Sequence, residues 1–116
     1  MAKIALPLSI FFSVLWFLLL NSGLWEFQKT WCIAKHSSSD AVLQGNIDHV
    51  CKKLKDKCAI IKPGQPCHEP NTLINHASVT MNLYYQAKGQ KPKNCNFKNS
   101  GLVSISDPSY EGCKYA

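Results

Sequence analysis

The sequence predicts a small disulfide-rich α+β domain of two helices, a short strand and extensive loops, and three observations point to it. At 116 residues the chain is one domain with a modest core. Its six cysteines, at 32, 51, 58, 67, 95 and 113, are an even number and all lie beyond an apolar leader. In a small secreted chain that is the pattern of a disulfide framework, which offsets chain entropy that a small core cannot. Apolar residues, finally, recur with helical period in two segments and alternate with polar ones in a third.

The leader comes first. Residues 4–20, IALPLSIFFSVLWFLLL, carry no charge and follow Lys3, the basic start and apolar run of a secretory signal peptide. The run reaches the lower limit of a membrane-spanning helix, so a signal anchor is the rival reading. Pro7 within it, Asn21-Ser22-Gly23 after it and the cysteines beyond favour cleavage near Gly23 or Leu24. Residues 1–23 thus read as a signal peptide, 24–30 as a short N-terminal segment and 31–115 as the domain. Subtracting Lys3 from the formal net charge of +6 leaves +5, and the chain contains no Arg. The end at Glu111-Gly-Cys-Lys-Tyr-Ala116 has no apolar tail of the glycosylphosphatidylinositol type, so a freely secreted chain without a membrane anchor is expected. No Asn-x-Ser/Thr acceptor occurs, and N-glycosylation is not expected.

The first helix spans roughly 40–55. Leu43, Ile47, Val50, Cys51 and Leu54 form its apolar stripe, and Ser37-Ser38-Ser39-Asp40 supplies caps. The second opens at Pro70-Asn71-Thr72 with Asn71 as the expected N-cap, and it ends at Gly89 with Pro92 beyond. Leu73, Ala77, Met81 and Tyr84 lie on one of its flanks, and Ile74, Ser78, Asn82 and Tyr85 on the other. Leu102-Val-Ser-Ile-Ser106 alternates after Asn99-Ser-Gly101 and reads as a short strand. Lys52, Lys53, Lys55 and Lys57 form a local basic cluster.

Counting alone leaves 15 disulfide connectivities open. Zinc is the other use of clustered cysteines, but there is no C-x-x-C pair and His36, His49, His68 and His76 are scattered. No metal and no cofactor are expected.

The stretch Cys67-His-Glu-Pro-Asn-Thr-Leu-Ile-Asn-His-Ala-Ser-Val-Thr-Met-Asn-Leu-Tyr-Tyr-Gln86, opened by Trp31-Cys32 and closed by Asp107-Pro-Ser-Tyr-Glu-Gly-Cys113, resembles the plant X8 domain, carbohydrate-binding module family 43. The resemblance runs from Trp31 to Tyr115. It implies two packed helices with a small antiparallel sheet, and binding to β-1,3-glucan, the callose of plant cell walls. It also implies the pairs Cys32–Cys95, Cys51–Cys58 and Cys67–Cys113. In the chain-entropy model the two long-loop bridges would each contribute about 4 kcal/mol and the short one roughly 2.5 kcal/mol. Where relatives often have a Gly-rich turn between the second and third cysteines, this chain has its lysine cluster, and Asn96 stands where many have Asp.

A neutral glucan offers apolar C–H faces fringed by hydroxyls, so its site needs aromatic platforms beside a few fixed polar groups. The expected carbohydrate-binding residues are Tyr85, Tyr84, Asn82, Gln86, Trp31, Glu69, Asn71 and Tyr110. Phe97 and Tyr115 are further aromatics, and Asp107 a further polar group that reads first as a turn. Trp31 serves equally to cover a disulfide, and Glu69 and Asn71 also suit a helix start. Adjacent residues stand about 100° apart on a helix, so Tyr84 and Tyr85 cannot both face the core. Because Tyr84 continues the Leu73–Ala77–Met81 stripe, the expectation is that Tyr84 packs inside and Tyr85 meets the sugar.

No catalytic residues are expected. The seven acids form no marked pair of the kind glycoside hydrolysis requires, and no nucleophile motif occurs. The alternative is a basic disulfide-rich defence or membrane-active protein, which the charge fits but for which a second amphipathic basic helix is missing. Nucleic-acid binding has no motif here. A monomer is expected.

Overall fold

The structure is a computed structural model that describes residues 28–116. The expected signal peptide, 1–23, lies outside the described residues. Strand β1 is Trp31–Ala34, helix α1 is Asp40–Lys53, helix α2 is Leu73–Ala87 and strand β2 is Gly101–Ser104. Short 3-10 segments at Lys55–Ile61 and Pro92–Cys95 complete the regular structure. This is the disulfide-rich α+β domain with a two-stranded antiparallel sheet that the sequence and its resemblance predict.

Helix α1 starts where Ser39 takes an extended backbone and its side chain accepts from the Val42 N–H. Asp40 in the first turn and Lys52 and Lys53 in the last suit the helix dipole. Leu43, Ile47 and Val50 are buried as their spacing requires. The helix ends at Lys53, two residues short of the expected limit, where Leu54 turns away and the Cys51–Cys58 bridge draws the chain back.

Helix α2 is capped by Thr72, whose hydroxyl accepts from the Asn75 N–H at 3.3 Å, and not by Asn71. Thr72 holds the extended cap conformation, while the Asn71 N–H donates to Glu69 Oε2. Its far end passes through Lys88 to Gly89, at φ +79°, as the sequence predicts.

α2 is central, and every residue from Ala77 to Leu83, with Tyr85, is buried. It packs against α1 on one side and β1 on the other. The β1 side is polar. β1 pairs with β2 in the register Cys32↔Val103, and its other edge faces α2. There the Cys32 N–H donates to Asn82 Oδ1 at 3.0 Å and the Ala34 N–H to Ser78 Oγ at 2.9 Å. One turn farther on, Gln86 Nε2 donates to the Thr30 carbonyl at 2.8 Å, and the Thr30 N–H donates to Gln90 Oε1 at 2.9 Å. Ser78, Asn82, Gln86 and Gln90, four apart, thus replace a third strand by satisfying the backbone groups that a sheet edge leaves open.

One core cluster gathers Cys32, Ala34, Leu43, Ile47, Ala77, Met81, Tyr85 and Cys95. A second holds Trp31, Cys67, Val79, Cys113 and Tyr115. The disulfides join Cys32–Cys95, Cys51–Cys58 and Cys67–Cys113, and no cysteine is free. Strand β2 begins one residue before its expected start and ends two before its expected finish. Leu102 and Val103 stay exposed on this strand. Gly101 admits no side chain: a Cβ there would stand 1.7 Å from the Cys95 carbonyl oxygen.

Candidate functional site

Ala77 and Met81 of the expected inner flank are buried, but the two tyrosines exchange the roles the sequence suggests. Tyr85 is 1% exposed and Tyr84 is part-exposed. The Tyr85 hydroxyl lies 2.7 Å from Thr30 Oγ1, which completes the polar edge that β1 demands. The physical reason for the correction is that edge. Apolar periodicity makes the Ser78–Asn82 flank look like a surface, whereas it is buried against unpaired backbone.

Tyr84 instead stands in a groove of about 540 Å³, within the range of small-ligand sites. One wall is α1, through Ala41, Val42, Gly45, Asn46 and His49; the other is the segment carrying Lys93, Asn94, Phe97 and Lys98. The Tyr84 ring meets Phe97 edge to face at 5.7 Å between centroids and His49 at 5.6 Å. The Lys88 ammonium lies 5.5 Å over the Tyr84 ring, a cation–π distance. Gly45 contributes no side chain, and a Cβ there would meet nothing within 4 Å, so the wall is lower than any other residue would make it.

The far wall is strained. Phe97, Lys98 and Asn99 have φ of 43°, 53° and 66° in succession, a left-handed run that costs roughly 1–2 kcal/mol per residue outside glycine. Ser100, buried, holds it. Its N–H donates to the carbonyls of Asn96 and Phe97, its hydroxyl donates to the Phe97 carbonyl, and that hydroxyl accepts from Asn46 Nδ2 at 2.8 Å. Lys35 adds bonds from its N–H to the Ser100 carbonyl and from its ammonium to Asn99 Oδ1, both 2.8 Å. The strained turn fixes Phe97 and Lys98 on the groove while Asn46 ties it to α1.

Of the eight expected contacts, Tyr84 alone lines this groove. Tyr85 and Asn82 are interior, and Trp31 packs with Val79, Tyr115 and the Cys67–Cys113 bridge. Gln86 is held by Thr30 and Asn82. Glu69, Asn71 and Tyr110 gather elsewhere, at the start of α2, where the Tyr110 hydroxyl donates to the Glu69 carbonyl at 2.7 Å with Asn75 Oδ1 at 3.1 Å. Their bonds fasten the C-terminal segment to the loop before the helix. Asp107 accepts from the N–H and the hydroxyl of Ser109, bonds that hold its carboxyl below the usual range, and this fits a turn. Phe97, a further aromatic of the sequence reading, is both packed on the first cluster and part of the groove. Sequence reasoning missed Asn46, His49, Lys93, Asn94 and Lys98. Gly45, unexplained inside an otherwise periodic helix, was the available signal.

None of the residues lining the groove is acidic. Among the described residues, no group of three or more His, Cys, Asp or Glu could hold a metal ion.

Residues 30–102 match the model of the X8 domain family. The chain is 47% identical over 85 residues to a glucan endo-1,3-beta-glucosidase of Triticum aestivum, across 73% of this chain but 18% of that enzyme. It is 41% identical over 87 residues to the major pollen allergen Ole e 10 of Olea europaea, across 75% of this chain and 71% of the allergen. To plasmodesmata callose-binding protein 1 of Arabidopsis thaliana it is 39% identical over 98 residues, across 84% and 48%. The chain thus spans about a fifth of the glucosidase and half of the callose-binding protein.

Proposed function

We propose, for a chain that belongs to the X8 domain family, a secreted, non-catalytic carbohydrate-binding module that binds β-1,3-glucan (callose) in the plant cell wall. The observation that carries the reading is the groove itself. Tyr84 and Phe97 present aromatic surface for the C–H faces of a sugar, and Asn46 and Asn94 set amides beside it. The similarity to a callose-binding protein and to β-1,3-glucosidases supports the choice of glucan. A binding role suits a groove without lining carboxylates, since glycoside hydrolysis uses a pair of them. Two aromatic contacts at about 0.5–1.5 kcal/mol each beyond the area they bury, and a few hydrogen bonds near 1 kcal/mol, make weak binding, about millimolar, the expectation once association costs are subtracted. Affinity electrophoresis in gels containing laminarin tests the proposal. Retardation by laminarin and not by a β-1,4-glucan supports it, and the reverse overturns it.

A further inference from the structure

A neutral glucan leaves the charge of the groove unused. Lys93 and Lys98 line it, and the Lys88 ammonium lies over its central ring. No carboxylate lines it to neutralise them, and among the described residues the one carboxylate contact of ion-pair length joins Glu69 to His68, away from the groove. The strained turn at 97–99 holds Lys98 at this wall, and the lysines rim the same aromatic surface that would take a sugar face. Like charges gathered without counter-charge repel one another, and the arrangement relaxes when an anion binds.

We propose that the Tyr84 groove binds uronic-acid-bearing polysaccharide, with a sugar ring against Tyr84 and Phe97 and its carboxylates meeting Lys88, Lys93 and Lys98. The inference rests on the carbohydrate-binding reading of the groove and extends it from neutral to acidic chains. Contacts of this kind are made through exposed ammonium groups, so they weaken as salt screens them.

The test is affinity electrophoresis and titration calorimetry of the purified protein with polygalacturonate, with the same polymer fully methyl-esterified, and with laminarin, each at about 20 and 300 mM NaCl. At these ionic strengths the screening length falls from about 20 Å to about 6 Å. The expected result is binding to polygalacturonate at low salt, at least tenfold weaker after esterification or in high salt, and displaced by laminarin. The double variant Lys93→Gln/Lys98→Gln should lose tenfold or more of the polygalacturonate affinity, and Lys93→Arg/Lys98→Arg should restore it. A control variant, Lys52→Gln/Lys53→Gln/Lys55→Gln, alters the basic cluster beyond the groove and should retain it. No binding to polygalacturonate at low salt overturns the inference. So does loss in the control variant with none in the groove variant, which would mark general charge attraction. Laminarin binding without polygalacturonate binding leaves the glucan reading standing and removes this one; polygalacturonate binding through the groove without laminarin binding does the opposite.

Discussion

The Cys32 N–H donates to Asn82 Oδ1 at 3.0 Å, and this hydrogen bond holds the polar flank of α2 against β1. Asn82 is fully buried, and its Nδ2 donates in turn to the backbone oxygen of Ala116 at 3.0 Å. Asn82→Leu removes both bonds, together with the one Gln86 Nε2 donates to Asn82 Oδ1, and strands a backbone donor. The expected cost is about 1–3 kcal/mol, read as a lowered melting temperature with laminarin retardation of the folded protein retained.

Tyr85→Ala should destabilise by about 3–5 kcal/mol, as truncation of a buried aromatic does. Tyr85→Phe keeps the ring and loses only the Thr30 partner, at about 1 kcal/mol, or some 4–8 °C in a domain of this size. Thermal melts of the two variants check the difference. Equal stability of Tyr85→Ala and the parent would place this ring outside the core.

Much of the architecture was legible from residues: the α1 stripe of Leu43, Ile47 and Val50, the Gly89 stop, and a strand near Leu102. The burial of the second, polar flank of α2 was not. A periodicity argument counts apolar residues, but α2 lies between α1 and a strand edge, so its polar flank is buried by hydrogen-bonding demand. Ser78, Asn82 and Gln86 then look like surface residues until β1 is placed beside them. The groove was hidden for a related reason. It joins α1 to residues some fifty positions later through Asn46 and Ser100, and no local pattern encodes that contact.

Gly45 separates stability from binding. An interior helical glycine costs about 1 kcal/mol relative to alanine, and a Cβ at 45 has open space, so Gly45→Ala should raise the melting temperature. Gly45→Leu fills the groove instead and should weaken laminarin retardation without lowering stability. Unimpaired binding by Gly45→Leu would place the sugar elsewhere.

Burial pushes the Tyr115 hydroxyl up to about 12 from an ordinary value of 10. The unfolded chain therefore gives up this proton first as pH rises. The contribution is fully present below pH 10 and is lost between about 10 and 12, on the order of 2 kcal/mol in all. Melts from pH 8 to 12 should show a steeper alkaline decline for the parent than for Tyr115→Phe.

The most direct measurement is laminarin affinity electrophoresis of Tyr84→Ala beside the parent, with melts recorded on the same samples. Tyr84 is part-exposed and touches Phe97 and His49 from within the groove. Removing its ring should cost tenfold or more in affinity, about 1.4 kcal/mol, while the domain remains folded at the gel temperature. A folded Tyr84→Ala protein retarded by laminarin as strongly as the parent would contradict the assignment of this groove as the glucan site.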